Sequence, residues 1–269
     1  MKNPSALAAE FMKHGKSPDC PVIDTHGHFG PFQGIYFPML TADQMIESMD
    51  RCGVRCIVCS HHQALVDPQR GNALMVEVIE QHPDRFRGYL GLNPNYPDTL
   101  RAELDRYDSL EGLVGLKFLS DYHQYPITGE EYVPAMEHAQ ERGLPILMHT
   151  WGGSAFDSPQ QVAELAARYP TVPLLMGHAG YGDWDAAIET ANDHPNTYLE
   201  LTAAYHLNGV LERFCNEAGS ERVLFGTDLP WFDQHYGIGC IMMADITDDD
   251  RRNILHRNAE KLFGDGLPG

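Results

Sequence analysis

Eight short apolar runs recur along the chain about every 29 residues, and this spacing constrains the fold more than any other feature. The runs predict strands at 21–25, 54–60, 86–92, 113–119, 145–149, 172–178, 197–201 and 222–226. Helical periodicity lies between them, at 42–51, 72–81, 130–142, 159–168 and 207–218, and predicts a terminal helix at 248–263. Strands that are apolar almost throughout are buried on both faces, which is typical of a parallel sheet. The pattern therefore favours a distorted (β/α)8 TIM barrel of the α/β class.

Composition and charge narrow the class of protein further. No linker or low-complexity tract divides the 269 residues, so we predict one domain over 1–269, with 1–18 as an N-terminal extension. The formal charge of −19 argues against nucleic acid or an anionic membrane as partner, because binding phosphates requires clustered cations. The sequence contains no apolar run typical of a signal peptide or a membrane span, and its six cysteines are scattered. We therefore expect a cytoplasmic protein, and the sequence leaves open whether it forms a homodimer.

The first strand ends in a pair of histidines, in the segment Val22-Ile-Asp-Thr-His26-Gly-His28. Side chains alternate along a strand, so His26 and His28 point to the same side, into the mouth of the predicted barrel. Two imidazoles so close together are suited to chelating a divalent cation, although the motif alone is weak.

Three later strands also end in a polar residue. His149 ends the fifth predicted strand, His178 the sixth and Asp228 the eighth. The carboxyl ends of barrel strands converge around the axis, so these groups are expected to meet the first two histidines. The sequence therefore predicts a cluster of metal-binding or proton-transferring groups at one end of the barrel.

Three cysteines, at 52, 56 and 59, have a spacing that also occurs in iron–sulfur proteins. Cys56 and Cys59 lie within a predicted strand, whose alternation places them on opposite faces. We therefore interpret them as buried thiols.

Over residues 22–263 the chain resembles the amidohydrolase superfamily, and most of all its amidohydrolase 2 branch. The segments that carry the resemblance are the HxH pair, Gly115-Leu-Lys-Phe, Gly143-Leu-Pro-Ile-Leu-Met-His149, Met176-Gly-His-Ala-Gly180, Leu224-Phe-Gly-Thr-Asp-Leu-Pro230 and Asn258-Ala-Glu-Lys-Leu-Phe-Gly264. The resemblance implies one divalent metal ion held by His26, His28, His149 and Asp228. Zn²⁺ is the first expectation and Mn²⁺ an alternative, since both accept imidazole and carboxylate ligands.

The resemblance further implies a metal-dependent hydrolase that acts on a small, carboxylated ester, lactone or amide. Asp228 would transfer the proton of a metal-activated water, and His178 would stabilise the oxyanion. The alternative is a metal-dependent non-oxidative decarboxylase or lyase of a small carboxylic acid. Such relatives place an arginine near the substrate carboxylate, and Arg70 is the nearest arginine here. A third hypothesis is a ligand-binding barrel that grips an anion without metal.

Several other residues are predicted to bind the small-molecule substrate. His61, Tyr122, Trp151 and Trp231 each follow a predicted strand and would form an aromatic wall. Lys117, within the fourth strand, has three interpretations: an ion pair with a carboxylate such as Glu200, a cation for a substrate carboxylate, or a carboxylated bridge between two metals.

Overall fold

The eight predicted strands form one sheet in chain order, in a computed structural model that describes residues 5–269. The strands are β1 Val22–Phe29, β2 Val54–His61, β3 Phe86–Gly91, β4 Leu113–Phe118, β5 Ile146–Trp151, β6 Leu174–Tyr181, β7 Thr197–Glu200 and β8 Val223–Leu224. Each consecutive pair is parallel. The segment after β8 returns to β1, where the amides of Thr25 and His28 donate to the carbonyls of Phe225 and Leu229. The predicted (β/α)8 barrel is therefore confirmed, and it is nearly closed.

Twelve helices of residues 5–269 accompany the strands. They are α1 Ala6–His14, α2 Ala42–Cys52, α3 Pro68–Gln81, α4 Pro97–Asp105, α5 Ser120–His123, α6 Val133–Arg142, α7 Pro159–Arg168, α8 Trp184–Asp193, α9 Val210–Arg213, α10 Gln234–Met243, α11 Asp248–Arg252 and α12 Asn258–Phe263. Thr41 and Gln44 form a capping box that starts α2, as their spacing indicates. No helix in this described range is both long and apolar enough to cross a membrane.

The barrel departs from regular geometry in its last third. α9 continues as a π-helical segment over Phe214–Gly219, and a second π segment, Asn253–Arg257, joins α11 to α12. The segment after β8, where the sequence pattern predicts no helix before residue 248, contains α10. This helix starts at Asp233, whose side chain accepts a hydrogen bond from the Tyr236 amide. Two glycines within α10 lower its helix propensity and conceal it in the sequence.

The barrel interior is filled by apolar side chains from alternating strand positions. Ile23, Cys56, Tyr89, Leu147 and Leu224 are among the buried members of this inner cluster. Strand alternation also places Cys59 in the separate cluster between sheet and helices, so Cys56 and Cys59 face opposite sides as predicted. Burial raises the pKa of the Cys56 thiol to about 12, which leaves it protonated and unsuited to bind a cluster.

The C-terminal helix closes one end of the barrel. Ala259, Phe263 and Leu267 pack against the inner cluster, and Phe263 contacts the Tyr89 ring. The predicted terminal helix thus seals the floor, and the chemistry lies at the opposite end, where the strands end.

Candidate functional site

A cavity of about 500 Å³ opens at the carboxyl ends of the strands. Its polar lining includes His26, His28, His62, Lys117, Asp121, His149, Ser154, His178 and Asp228, and its ring-bearing walls are Tyr122, Trp151, Phe156, Trp231 and Phe232. The structure therefore brings together all five histidines and carboxylates predicted from the strand ends, together with Lys117, Tyr122, Trp151 and Trp231.

One buried carboxylate, Asp24, holds the backbone of His26 and that of Thr227. Asp24 Oδ1 accepts hydrogen bonds from the amides of His26 (3.2 Å) and Thr227 (3.1 Å). Its Oδ2 accepts from Thr227 Oγ1 (2.5 Å) and Gln234 Nε2 (2.8 Å). Because Thr227 precedes Asp228, this single carboxylate fixes His26 and Asp228 relative to each other.

The side chains of His26, His28 and Asp228 converge on one point. Their nearest ligand atoms all lie within 4.8 Å of one another. Asp228 Oδ1 lies 2.9 Å from His28 Nε2 and 3.4 Å from His26 Nε2. Asp228 has a φ of 63°, in the left-handed region, which costs about 1 kcal/mol or more for a residue with a side chain.

Hydrogen bonds on the far side of each imidazole leave Nε2 free to bind an ion. His26 Nδ1 lies 2.7 Å from Glu200 Oε2, and His28 Nδ1 lies 3.0 Å from Ser60 Oγ. A proton on each Nδ1 satisfies these contacts and puts the lone pairs on the Nε2 atoms. Burial lowers the pKa of His26 well below its ordinary value, so its imidazole is neutral, as a ligand must be.

The three groups fit a divalent cation. Asp228 Oδ1 is buried and has no hydrogen-bond donor of acceptable geometry among residues 5–269, although two imidazole nitrogens face it. Lone pairs and a carboxylate oxygen that converge without a proton between them are the arrangement that a cation stabilises. One carboxylate and two imidazoles suit Mn²⁺, Fe²⁺ or Zn²⁺.

Lys117 contacts the same cluster rather than a carboxylate. Its Nζ lies 2.8 Å from His26 Nε2, and it makes no ion pair with Glu200 within the described chain. Burial lowers its pKa to about 8, against the attraction of Asp228 and Glu200. The ion pair considered for Lys117 and Glu200 is absent because Glu200 is engaged by His26 and Thr202. An ion bound to His26 Nε2 would replace the contact with Lys117, since both use the same lone pair.

His149 and His178 lie together on the other side of the cavity. Their ring centroids are 4.7 Å apart, and His149 lies outside the group of three converging ligands. His149 Nδ1 lies 3.0 Å from the buried Asp157 Oδ2, which orients Nε2 for binding. Burial, followed by His149, lowers the pKa of His178 well below its ordinary value. Its buried Nδ1 has no hydrogen-bond partner among residues 5–269.

The histidine that lines the cavity after β2 is His62, which the sequence places near the mouth, whereas its neighbour His61 was the one predicted to bind substrate. Its Nδ1 donates to the Gly30 carbonyl (2.6 Å), and its Nε2 accepts from Trp231 Nε1 (3.1 Å). Its ring stacks on His28 with centroids 4.9 Å apart. Burial lowers its pKa to about 3, so it remains neutral. His62 thus orients the ring of His28, a candidate metal ligand, and the indole of Trp231, which forms part of the cavity wall.

The structure does not bring His61 or Arg70 into the cavity lining. β2 ends at His61, and a 3-10 turn begins at His62, which interrupts the strand alternation. His61 Nδ1 instead accepts a hydrogen bond from the Gln63 amide. Arg70 lies exposed at the start of α3. Within the described residues, Lys117 is the only lysine or arginine in the lining.

An amidohydrolase family model matches residues 23–264, nearly the whole barrel. The chain belongs to the amidohydrolase family. This amidohydrolase is 24% identical to the gamma-resorcylate decarboxylase of Polaromonas sp. strain JS666, over 82% of this chain and 86% of that protein. It is 23% identical to the enzyme of the same name from Rhodococcus jostii, over 82% of this chain and 83% of that protein.

Solved structures of decarboxylases share the fold of this amidohydrolase. A 2,6-dihydroxybenzoate decarboxylase in complex with 2,6-dihydroxybenzoate has a TM-score of 0.73 at 20% identity, covering 91% of this chain and 99% of its own. The 5-carboxyvanillate decarboxylase of Novosphingobium aromaticivorans, in complex with manganese and a nitrobenzoic acid, has a TM-score of 0.72 at 15% identity. It covers 91% of this chain and 97% of its own.

These relatives correct two expectations from the sequence. The expectation of a hydrolase is wrong, because the similar curated proteins are decarboxylases, which was the alternative. Zinc is not supported either, because manganese is the ion named in the relatives' structures. The sequence misled because the segments that carry the resemblance do not distinguish the hydrolases of this superfamily from its decarboxylases. The chain is an enzyme of the amidohydrolase superfamily.

Proposed function

We propose that this enzyme is a metal-dependent non-oxidative decarboxylase of a small, hydroxyl-substituted aromatic carboxylic acid. The observation that carries the proposal is the convergence of His26, His28 and Asp228 at the base of an aromatic-walled cavity. A volume of about 500 Å³ suits a single substituted ring. The similarity to gamma-resorcylate and 5-carboxyvanillate decarboxylases supports this reaction.

The residues proposed to hold the ion are His26, His28 and Asp228, with His149 as a fourth ligand. His149 belongs to the same cavity, and Asp157 leaves its Nε2 free. We propose one Mn²⁺, as named in the structures of relatives. When bound, such an ion supplies a positive charge that polarises substrate oxygens.

The reaction breaks the bond between a ring carbon and the carboxylate carbon. Both electrons of that bond stay on the ring carbon, CO2 leaves, and the ring carbon must gain one proton. Asp228 is proposed to take this proton from solvent and pass it to the ring carbon, because its side chain lies in the cavity beside two imidazoles. His178 is proposed to hold a hydrogen bond at a substrate oxygen, since it lines the cavity and its Nδ1 is unpartnered.

The remaining lining residues are proposed to select the substrate. Lys117 attracts an anion into a cavity whose described lining contains no other lysine or arginine. Trp151 stacks on His149, and the Trp231 indole is fixed by His62, so two large rings have defined orientations. Tyr122 lies against His149 and Phe32. Such walls favour a flat ring over an aliphatic acid.

The test is CO2 release by protein stripped with chelator and reloaded with Mn²⁺. The substrates are 2,6-dihydroxybenzoate, 5-carboxyvanillate and monohydroxybenzoates, with benzoate as the unsubstituted comparison. Asp228→Asn is expected to lower turnover about 10³-fold or more while the fold is retained. Asp233→Asn is the matched control, because Asp233 caps α10 outside the cavity lining and asparagine caps equally well. Metal-loaded enzyme that releases no CO2 from any of these acids would refute the proposal.

The cytoplasmic location stays a prediction from the sequence, and whether the chain forms a homodimer stays open. The first is checked by fractionation of the source cells, and the second by light scattering of the purified chain.

A further inference from the structure

We infer that Glu200 is a positioning residue that fixes the binding tautomer of His26 and the backbone of His178. The inference rests on the proposed metal site. It concerns a fully buried carboxylate at the end of β7 that does not line the cavity.

Both oxygens of Glu200 are fully used. Oε1 accepts hydrogen bonds from the amide (2.9 Å) and the hydroxyl (2.7 Å) of Thr202. Oε2 accepts from His26 Nδ1 (2.7 Å) and from the amide of His178 (3.4 Å). The carboxylate therefore connects the ends of β1, β6 and β7 beneath the cavity.

The contact with His26 determines which nitrogen faces the cavity. The Lys117 ammonium group can only donate, so His26 Nε2 accepts its hydrogen bond and Nδ1 carries the proton. That proton points to Glu200 Oε2, and the Nε2 lone pair points toward Asp228. Carboxylates placed behind a histidine in this way set its tautomer and ring orientation for a metal ion.

The contact with His178 supports an unfavourable backbone. His178 and Ala179 have φ values of 64° and 49°, in the region that side chains disfavour. The hydrogen bond from the His178 amide to Glu200 holds this turn, which directs the imidazole into the cavity.

The neighbouring strand leaves room for this carboxylate. A Cβ at Gly226 would lie 2.1 Å from Glu200 Oε1 and 2.7 Å from the Cβ of His26. Both contacts are shorter than atoms tolerate, so only glycine at 226 permits Glu200 and His26 to meet.

Replacing Glu200 by glutamine keeps the shape of the side chain but changes which hydrogen bonds it can accept. The amide has one oxygen, so its NH2 group must face either the Thr202 amide or His26 Nδ1. The Thr202 amide lies 2.9 Å from Oε1 and can only donate, whereas on the other side the His178 amide is 3.4 Å away and His26 can change its tautomer, so the NH2 group is expected to face His26 Nδ1. His26 is then driven to the other tautomer, with a proton on Nε2, which cannot bind metal.

The experiment measures Mn²⁺ binding to chelator-stripped protein by calorimetry for wild type, Glu200→Gln and Glu103→Gln. Glu103 is an equally buried carboxylate that is bound by Asn72 and Arg106, far from the cavity lining. Glu200→Gln is expected to weaken Mn²⁺ binding about 10- to 100-fold, and Glu103→Gln to leave the affinity at the wild-type value. Nitrogen NMR of metal-free protein labelled at histidine, assigned with His26→Ala, should show that His26 changes tautomer in Glu200→Gln alone.

A second variant covers the case in which Glu200→Gln does not fold. Thr202→Val preserves the shape but removes the hydroxyl, which donates to Glu200 Oε1 and also lies 3.2 Å from His26 Nδ1, and it is expected to weaken Mn²⁺ binding about 2- to 10-fold. Wild-type affinity in folded Glu200→Gln, or in Thr202→Val if the former is unfolded, would overturn the inference. An unchanged His26 tautomer in Glu200→Gln would overturn it as well. Wild-type protein that binds no Mn²⁺ would overturn both this inference and the proposed metal site.

Discussion

The buried carboxylate of Asp24 offers a sharp test of how the site is supported, because alanine and asparagine should differ widely there. Asp24 accepts four hydrogen bonds, two from backbone amides and two from the side chains of Thr227 and Gln234. Asp24→Ala leaves three of these donors without a partner in a fully buried place, since the Thr227 amide also donates to the His26 carbonyl at 3.2 Å. Each buried unsatisfied group costs about 1–3 kcal/mol, and partial relaxation reduces the sum. We expect Asp24→Ala to lower the free energy of unfolding by about 4 kcal/mol.

Asp24→Asn should cost far less. Its carbonyl oxygen can still accept from the amides of His26 and Thr227. Its NH2 group would face Gln234, whose Oε1 is buried and has no partner among residues 5–269. Rotation of the Gln234 amide by 180° then turns a donor into an acceptor. We therefore expect Asp24→Asn to lower the free energy of unfolding by only about 1 kcal/mol.

Urea unfolding of chelator-stripped protein, followed by circular dichroism, measures both values in the absence of metal. When Gln234→Ala is combined with Asp24→Asn, the Gln234 amide is no longer there to accept from the new NH2 group. The free energy of unfolding of this double variant should therefore fall nearly as far as that of Asp24→Ala. Equal losses for Asp24→Ala and Asp24→Asn would refute the account of the four hydrogen bonds. So would a loss below about 1.5 kcal/mol for alanine, since it would mean that the donors find other partners.

Three further predictions concern the cavity and its surroundings. His178→Ala should keep its metal but lose about 10²- to 10³-fold in kcat, whereas His149→Ala should lose metal and activity together; metal analysis and kinetics of the two variants decide this. Lys117→Met should raise KM for an anionic aromatic acid more than it lowers kcat, and equal KM values would remove Lys117 from substrate binding. Burial lowers the pKa of His123 to about 4, so the stability it contributes is present above pH 6.5 and is lost as pH falls toward 4. The free energy of unfolding of wild type should therefore fall by about 2 kcal/mol more than that of His123→Gln when the pH is lowered from 7 to 4.5, as measured by urea unfolding at each pH.

The barrel could be predicted from the sequence because each of its strands is a short apolar run. His149, His178 and Asp228 were visible for the same reason, since a polar group late in an apolar run or just after it marks the carboxyl edge. The predicted ends of the strands of His149 and His178 were early, because β5 continues to Trp151 and β6 to Tyr181. Glu200 also ends a strand, but nothing in its sequence spacing shows which groups of other strands its carboxylate meets. Its role became visible only when β1, β6 and β7 were placed side by side.

Other parts of the site depend on local geometry that the sequence does not encode plainly. His61 and His62 are adjacent, and a turn that begins at the second one decides which of them faces the cavity. Asp157 lies in the loop between β5 and α7, eight residues beyond His149, so its hydrogen bond to His149 required the folded loop. The class of reaction was predicted wrongly, because the segments that carry the family resemblance do not distinguish hydrolases from decarboxylases.

The converging ligands also span the seam at which the barrel closes. His26 and His28 belong to β1, whereas Asp228 follows β8, and β8 has only two residues in regular pairing. A bound ion would therefore cross-link the first strand to the segment that follows the last strand, where few backbone hydrogen bonds join the two. Binding of the ion would raise the free energy needed to separate these strands, by an amount that grows with the concentration of free ion. Conversely, the ion would leave when this seam opens locally. The rate of ion release and the rate of backbone hydrogen exchange along β1 should therefore change together.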